Sequence, residues 1–181
     1  MSRFILTGAP GSGKTSILHA LRDRGYPVVG EAATEIISSR QSRGNDEPWT
    51  DPVFIDDIIG LQRSRQSRPV PSRARAQIYD RSPVCTLALA HYLRHPVSRS
   101  LADEIERITR ERVYERRVFL IRPIGFCEPT AARRISYEES LTFERCHAEE
   151  YARLGFDLVE VPAAEIDERA ALIDACIRAW A

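Results

Sequence analysis

The segment Gly8-Ala9-Pro10-Gly11-Ser12-Gly13-Lys14-Thr15 fills every fixed position of the motif G-x-x-x-x-G-K-[ST]. This motif is typical of a phosphate-binding loop, in which glycines let backbone N–H groups turn inward around phosphate oxygens. It also constrains the fold, because such a loop connects a strand to the N-terminus of a helix. The alternative is a glycine-rich turn that matches by accident, and the four filled positions favour the phosphate loop. We predict that nucleotide phosphates bind to Gly8, Ala9, Pro10, Gly11, Ser12, Gly13, Lys14, Thr15 and Ser16.

The basic residues of the chain support this interpretation. Of the 26 basic residues, only Lys14 is a lysine, and all the others are arginines. The chain therefore uses arginine wherever a positive charge only has to be solvated, and it retains one compact ammonium group at the motif. We predict that Lys14 bridges the β- and γ-phosphates of a nucleotide and that Thr15 ligates Mg²⁺.

The residues around the motif have the order that a phosphate loop requires. Arg3 to Thr7 is a short apolar run, which predicts a buried strand. Ile17, Leu18 and Leu21 follow the motif at helical spacing. Strand, glycine loop and helix therefore succeed one another as expected.

Length and composition predict one globular domain. The chain has 181 residues, a net charge of +0 at pH 7 and 43 % hydrophobic residues, a balance that argues against a protein built to coat nucleic acid. We therefore expect no DNA partner. We also expect no transmembrane segment, because no apolar run approaches the ~20 residues that span a bilayer. We expect no signal peptide, because the first apolar run has only about five residues and ends in the glycine loop. Cys85, Cys127, Cys146 and Cys176 form no C-x-x-C pair, which predicts reduced thiols in a cytoplasmic protein.

Apolar strand-like runs alternate with helical segments along the chain. This alternation predicts a three-layer α/β/α domain, in which helices cover both faces of a five-stranded parallel sheet. We expect strands at 3–7, 26–30, 77–80, 117–121 and 156–161, and helices at about 16–22, 31–41, 54–68, 82–93, 101–114, 137–154 and 164–179. Residues 122–136 contain two prolines and a glycine and are expected to form a mobile loop. The nucleotide should bind at the carboxyl edge of the sheet.

His91 and His95 lie four positions apart at the end of the helix predicted at about 82–93. If this helix continues through both, they could face a metal ion. No glutamate lies between them in a zinc-protease pattern, and no third ligand is evident. We therefore interpret them as polar residues at the end of an apolar helix.

Two acidic residues follow predicted strands at the edge where the phosphate loop is expected. Glu31 comes after the second strand and could accept a proton from an attacking hydroxyl or orient a water. Its alternative role is that of an acid in the first turn of a helix, where it would stabilise the dipole. Asp80 ends the third strand and could hold a Mg²⁺-bound water, with Arg81 near the transferring phosphoryl group. Its alternative role is that of a turn residue or N-cap.

Arginines could also contribute to the site. Arg122, Arg133 and Arg134 lie in or beside the predicted loop, and a guanidinium on a closing loop can neutralise a transferring phosphate. Each could instead be a solvated surface residue. A basic run from 63 to 75 could face an anionic substrate or a lipid headgroup, although the solvated end of a helix is the more common meaning of such a run.

Nearly the whole chain resembles the AAA-type P-loop ATPase-like domain family, which includes the nicotinamide riboside kinase module of NadR proteins and the fly protein Ttd14. The resemblance lies in the ordered segments GAPGSGKTSIL, VVGEAATEII, EPWTDPVFIDDIIGLQ, YDRSPVCTLALAHYL and EEYARLGFDLVEVPAAEIDERAALI. It implies a kinase-like sheet in strand order 2-3-1-4-5 that binds ATP or GTP with Mg²⁺. It also implies that Glu31 and Asp80-Arg81 lie on the acceptor side and that Arg133 is the lid arginine. Members often carry a second acid shortly after the Asp-Arg pair, whereas this chain has Ser82-Pro83-Val84-Cys85, which leaves the acceptor open.

Two classes of function fit these residues. The first is a small-molecule kinase that transfers the γ-phosphoryl group of ATP to a nucleoside-like or other hydroxyl acceptor. The second is a regulatory nucleotide-binding module that hydrolyses slowly and recognises a protein or phosphoinositide through its arginine-rich run. Ras-like GTPases are excluded because their N-K-x-D motif needs a second lysine, and transporter ATPases are excluded because no LSGGQ segment exists. Ring-forming unfoldase activity is not expected, since no helical lid domain or sensor region follows the fifth strand. The oligomeric state is left open.

Overall fold

A computed structural model of the protein describes residues 1–125 and 135–180. In these two ranges the strands are β1 (Ser2–Thr7), β2 (Val28–Val29), β3 (Ala76–Asp80), β4 (Arg117–Ile121) and β5 (Asp157–Val161). They form one parallel sheet in the order β2-β3-β1-β4-β5. The predicted five-stranded sheet and its kinase-like strand order are therefore confirmed.

Seven α-helices are present in the same two ranges, together with a short 3₁₀-helix at Pro48–Thr50. The helices are α1 (Lys14–Asp23), α2 (Ala32–Gln41), α3 (Val53–Gln66), α4 (Pro83–Tyr92), α5 (Arg99–Arg110), α6 (Tyr137–Arg153) and α7 (Ile166–Trp180). No helix in the described part of the chain has the length and apolar character needed to cross a bilayer.

The sheet is buried on both faces, which explains why β1 is a continuous apolar run. Successive side chains of a strand point to opposite faces. Phe4 and Leu6 pack with α1 and α7 on one face, whereas Ile5 packs with residues of α4, α5 and α6 on the other. Each of these three side chains is at most 1 % exposed. A strand that is covered on both sides has no polar face to display.

A separate apolar cluster joins α2, α3, α4 and α5 beside the β2 edge of the sheet. Ile37 of α2, Phe54 and Ile58 of α3, and Leu87 of α4 are buried in it. This cluster positions α2 and α3 on one side of the carboxyl edge of β3, where they form a wall next to the phosphate loop.

Element ends differ from the sequence-based expectations where the backbone adopts special conformations. The helix predicted at about 82–93 ends at Tyr92, within one residue of the expected end, but it does not continue to His95, because Arg94 adopts a φ of 56°. His95 therefore lies beyond the helix. The helix expected at 101–114 covers Arg99–Arg110 instead, since the Ser98 hydroxyl accepts a hydrogen bond from Leu101 N and so caps an earlier first turn.

The two histidines consequently do not share a helix face. His91 Nδ1 lies 2.8 Å from Glu150 Oε1, and His95 Nε2 lies 2.7 Å from the carbonyl oxygen of Trp49. Within the described ranges there is no group of three or more side chains that could hold a metal ion through His, Cys, Asp or Glu.

Gly8 is the residue at which β1 passes into the phosphate loop. Its φ is 133°, and a Cβ atom at this position would lie 2.4 Å from the carbonyl oxygen of Ile121 on β4. Backbone atoms cannot move aside as a flexible side chain can. The loop therefore starts at a point where only glycine lets the chain pass so close to its neighbouring strand.

We predict that Gly8→Ala lowers the free energy of unfolding by roughly 1–3 kcal/mol, through strain at this φ and the clash with Ile121. Gly60→Ala is the matched control, because Gly60 lies within α3 and a Cβ atom there meets nothing within 4 Å. The control should instead gain up to about 1 kcal/mol from its helix propensity. Urea unfolding of both variants and of the wild type tests this, and equal stability of the two variants would contradict it.

Candidate active site

The phosphate loop lies between β1 and α1, and Lys14 is the first residue of the helix. The Lys14 ammonium donates hydrogen bonds to the carbonyl oxygens of Gly8 (3.1 Å) and Ala9 (2.7 Å) and to the Ser12 hydroxyl (3.3 Å). Burial and the nearby Arg81 charge lower the pKa of Lys14 to about 8. The loop thus holds its cation at its own centre, where the negative charge of phosphates would restore an ordinary pKa.

Two buried side chains that were not predicted from the sequence form hydrogen bonds with the backbone of the phosphate loop. Glu144 of α6 accepts hydrogen bonds from Ala9 N (3.0 Å) and from Arg122 Nη1 (2.7 Å). Arg169 of α7 is 2 % exposed, and it donates to the carbonyl oxygens of Ser12 (2.9 Å) and Arg122 (2.7 Å). These contacts connect the phosphate loop to the chain that leaves β4. Buried backbone groups of the loop are satisfied without using its phosphate-facing side.

The end of β3 supplies the residues next to the loop. Asp80 lies opposite Leu6 in the parallel register, and its Oδ2 accepts a hydrogen bond from Thr15 Oγ1 at 3.2 Å. Asp80 is 3 % exposed, yet its Oδ1 makes no hydrogen bond to any described residue. Burial, with a smaller contribution from Glu31, raises the pKa of Asp80.

This corner fits Mg²⁺. The ion takes oxygen ligands and usually keeps several waters. The Thr15 hydroxyl oxygen would bind such an ion directly, and the unpartnered carboxylate oxygen of Asp80 would accept a hydrogen bond from one of its waters. A buried carboxylate oxygen without a donor is costly unless a ligand completes it.

The next two residues of the chain have separate roles. Arg81 adopts a left-handed φ of 71°, while its backbone N–H donates to the carbonyl oxygen of Leu6 at 3.0 Å. Ser82 then caps α4 by accepting a hydrogen bond from Val84 N at 3.2 Å. This left-handed backbone conformation directs the Arg81 side chain toward Glu31.

Glu31 and Arg81 form an ion pair at the carboxyl edge of the sheet. Glu31 Oε1 accepts from Arg81 Nε at 2.5 Å, and Glu31 Oε2 accepts from the Thr34 hydroxyl at 2.8 Å. Burial acts to raise the pKa of Glu31, but the Arg81 charge and, after it, the Lys14 charge outweigh burial, so that this pKa lies below its usual value. Glu31 is therefore an ionised carboxylate at neutral pH, able to accept a proton.

Arg81 has two further neighbours on α6. Its Nη1 lies 3.3 Å from His147 Nε2 and 3.5 Å from His147 Nδ1. Its guanidinium carbon lies 5.8 Å from the centroid of the Phe143 ring. Neither residue was singled out from the sequence.

A cleft of about 560 Å³ runs from the phosphate loop past Glu31 and Arg81. Four aromatic side chains line it, Trp49, Phe54, Tyr92 and Phe143, together with the polar pair Gln62 and Thr86. Within that pair, Thr86 Oγ1 donates to Gln62 Oε1 at 3.1 Å. The volume, and walls that combine aromatic and aliphatic side chains with polar and charged groups, fit a small-molecule site.

The structure brings Glu31, Asp80 and Arg81 to the same edge as Lys14 and Thr15, as the positions of these residues after strands had suggested. Arg122, one of the three lid candidates, is hydrogen-bonded to Glu144. Arg133 and Arg134 lie outside the described residues, so their predicted roles stay predictions.

The basic run from 63 to 75 is partly used inside the protein. Arg63 lies 3.5 Å from the buried carboxylate of Glu104. Arg65 donates to the carbonyl oxygen of Gly30 at 2.7 Å and forms an ion pair with Glu35. Two members of the run therefore stabilise the fold.

Residues 3–169 match the model of a family described as an AAA domain. The chain belongs to this family. It is similar to the solved structure of deoxyadenosine kinase from M. mycoides with products dCMP and a flexible dCDP bound, with 14 % identity, a TM-score of 0.63 and coverage of 99 % of this chain and 100 % of that one. It is also similar to NadR protein in complex with NAD and AMP-PNP, with 17 % identity, a TM-score of 0.69 and coverage of 98 % of this chain and 49 % of that one.

A NadR structure in complex with NR gives 18 % identity, a TM-score of 0.63 and coverage of 98 % and 50 %. The chain thus spans about half the length of the NadR chains that it matches. No curated protein matches it. At these identities the likeness to solved structures shows the fold, which is that of a P-loop kinase-like protein.

We predict that Lys14 reacts with an amine-directed acyl-phosphate nucleotide and that labelling rises as the pH passes about 8, its lowered pKa. Excess Mg·ATP should protect the residue, because bound phosphates surround the ammonium. The chain has one side-chain amine, so peptide mass spectrometry separates this label from that on the N-terminus. Labelling of the N-terminus alone, or labelling that ATP does not change, would contradict the assignment.

We predict that Asp80→Asn stabilises the ligand-free protein and weakens Mg²⁺-dependent nucleotide binding. A carboxyl whose pKa is higher in the folded than in the unfolded chain lowers stability at pH values above the unfolded pKa. Removing its charge should raise the Tm near pH 7 by roughly 2–4 °C, which corresponds to about 1 kcal/mol. The additional Tm shift that Mg·ATP causes over ATP alone should shrink.

Asp46→Asn is the control for this substitution, because Asp46 is exposed and lies outside the cleft. Its Tm and its response to Mg·ATP should stay at wild-type values. A lower Tm for Asp80→Asn without ligand would show that the carboxylate stabilises the fold and would contradict a role reserved for the ion.

Proposed function

We propose that the protein is a kinase that transfers the γ-phosphoryl group of ATP to a hydroxyl group of a nucleoside-like small molecule. The observation that supports this most is the position of the Glu31–Arg81 pair. It lies where the phosphate loop opens into an aromatic-lined cleft. A proton acceptor, a phosphate-stabilising cation and a cavity for an organic acceptor therefore adjoin one another.

In the proposed reaction the acceptor hydroxyl oxygen attacks the γ-phosphorus and the bond between that phosphorus and the β–γ bridging oxygen breaks. ADP leaves, the phosphate ester forms, and the hydroxyl proton passes to Glu31. Lys14 and Arg81 stabilise the charge on the transferring group. Mg²⁺, held by Thr15 and through water by Asp80, would neutralise the β- and γ-phosphates.

The walls of the cleft favour a flat acceptor. Trp49, Phe54, Tyr92 and Phe143 offer ring faces and edges against which a base can stack. Gln62 and Thr86 supply neutral polar groups at the side of α3 and α4, as recognition of the edge of a heterocycle requires. Deoxyadenosine kinase and NadR protein, to which the chain is similar in fold, agree with a nucleoside-like acceptor.

The regulatory alternative has less support. It relies on the basic run from 63 to 75 for binding a protein or a phosphoinositide, yet Arg63 and Arg65 pair with Glu104 and Glu35. A switch also needs no proton acceptor beside an organic cleft. The lid role of Arg133, the cytoplasmic location and the single-domain organisation stay predictions from the sequence.

The acceptor can be identified by thermal shift, because a ligand that binds the native state raises its Tm. The protein is screened with Mg·ATP and Mg·GTP, each alone and with nucleosides, nicotinamide riboside or phosphoinositide headgroups. A shift that needs a nucleoside-like compound supports the kinase, whereas a shift with headgroups alone supports the regulatory alternative.

We predict that Glu31→Gln lowers phosphoryl transfer to the acceptor by a factor on the order of 10² to 10⁴ while ATP binding persists, because the change keeps the shape and removes the proton acceptor. Transfer is measured with γ-labelled ATP and a pool of acceptors, with released phosphate followed in parallel.

Glu35→Gln is the matched control, since Glu35 lies on α2, the helix that Glu31 directly precedes, is largely exposed and pairs with Arg65 outside the cleft. It should retain wild-type transfer. If label appears only as free phosphate across a broad acceptor pool, the kinase proposal is wrong.

A further inference from the structure

His147 is a buried titratable side chain beside the cleft that the proposed reaction does not use. It lies on α6, is 0 % exposed and reaches the wall of the cleft. One side of its ring contacts Phe143, with ring centroids 4.2 Å apart. Arg81 Nη1 lies 3.3 Å from its Nε2 and 3.5 Å from its Nδ1. Burying an imidazole costs free energy unless its polar atoms find new partners, because these atoms lose their hydrogen bonds to water.

The imidazole is neutral. Burial, and then the positive charges of Arg81 and Lys14, hold the pKa of His147 well below its usual range. A neutral imidazole carries one nitrogen with a free lone pair, which can accept a hydrogen bond from a guanidinium. His147 therefore binds Arg81 as an acceptor without cancelling its charge.

The contacts of Arg81 leave one part of its guanidinium for a ligand. Within residues 1–125 and 135–180, its side chain is hydrogen-bonded through Nε to Glu31 and through Nη1 to His147. Nη2 takes part in none of these bonds. With Nε and Nη1 both held, the plane of the guanidinium is defined, and Nη2 keeps both of its N–H groups for a ligand.

A carboxylate in place of His147 would hold Arg81 as well but would act differently. Arg81 already pairs with Glu31, and a second negative charge would oppose the approach of a phosphate. A neutral acceptor restricts the geometry and keeps the net attraction for an anion. Pre-organised donors of this kind stabilise transition-state charge without reorganisation.

The position of His147 on α6 links Arg81 to the rest of the site. Glu144, His147 and Tyr151 lie three and four residues apart, so they share one helix face. Glu144 accepts from Ala9 N of the phosphate loop at 3.0 Å, and the Tyr151 hydroxyl lies 2.8 Å from the Ser82 hydroxyl. The same face thus sets the loop, the arginine and the cap of α4 relative to one another.

We propose that His147 is a positioning residue, which holds the Arg81 guanidinium so that Nη2 faces the transferring phosphoryl group. This inference rests on the proposed kinase function. It predicts that the hydrogen-bond acceptor, and not the titratable ring, is what position 147 must provide.

The test compares His147→Leu, which removes the acceptor, with His147→Gln, which retains one. His147→Leu should lower kcat roughly 10- to 100-fold while the Kd for Mg·ATP stays within about 3-fold. The reason is that the displaced Arg81 guanidinium acts mainly on the charge that develops in the transition state. His147→Gln should recover most of that loss. In an Arg81→Ala background His147→Leu should cause no further loss, since His147 would act through Arg81.

His91→Leu is the matched control for the loss of a histidine. His91 contacts α6 through Glu150 but lies outside the cleft residues, so kcat should not change. If His147→Leu does not fold, His147→Met replaces it, since methionine is similar in length and lacks a strong acceptor.

A second measurement does not depend on activity. In ¹⁵N spectra of arginine side chains, the Nη signals of Arg81, assigned by their absence in Arg81→Ala, should be resolved in the wild type and in His147→Gln. In His147→Leu the two Nη signals should merge into one averaged signal, because the guanidinium can then rotate. If the wild type transfers phosphate to no acceptor, the kinase proposal fails while the spectra still decide the positioning role. Resolved Nη signals in His147→Leu, or equal kcat losses for Leu and Gln, would overturn the inference.

Discussion

The parallel pairing of β1 with β3, with Leu6 opposite Asp80, is the constraint on which the site depends. Because of this register, the two strands end at the same level of the sheet. The phosphate loop that follows β1 and the Asp80-Arg81-Ser82 turn that follows β3 therefore begin side by side, which lets Thr15 reach Asp80 at 3.2 Å. The Arg81 N–H hydrogen bond to Leu6 O extends this pairing by one step beyond the strand. A shift of one residue in this register would turn Asp80 to the other face of the sheet and separate the two halves of the site.

Helix α6 lies with α4 and α5 on the face of the sheet that Ile5 contacts, and it supports this edge. Its Glu144, His147 and Tyr151 contact the phosphate loop, Arg81 and Ser82 in turn. The site nevertheless retains one unsatisfied atom and one destabilised charge. Asp80 Oδ1 has no hydrogen-bond partner among the described residues, and burial together with the Arg81 charge lowers the pKa of Lys14 to about 8. Such costs are typical of positions kept for a ligand, because a better-satisfied site would gain stability and lose its affinity for phosphate and metal.

The sequence predicted element types better than element ends. The five strands were recognisable because apolar runs bounded by turn residues separate buried strands from solvent. The position of His95 outside α4 was missed because it depends on Arg94 adopting a left-handed φ, which no local residue type enforces. Glu144, His147 and Arg169 were also missed. Each is one charged or polar residue on a helix that carries several, and only the packing of α6 and α7 against the loop makes them different.

The sequence by itself determined the phosphate loop, because glycines at fixed spacing with one lysine specify a backbone shape and a charge without help from distant residues. It also determined that Glu31 and Asp80 follow strands, which places both at the carboxyl edge of any parallel sheet that these strands form. Only the tertiary structure decided that Glu31 pairs with Arg81, that Arg122 is bound to Glu144, and that His147 lies against the guanidinium. These contacts join residues 22 to 66 positions apart in the chain. Their energies depend on burial and distance, which a linear sequence does not specify.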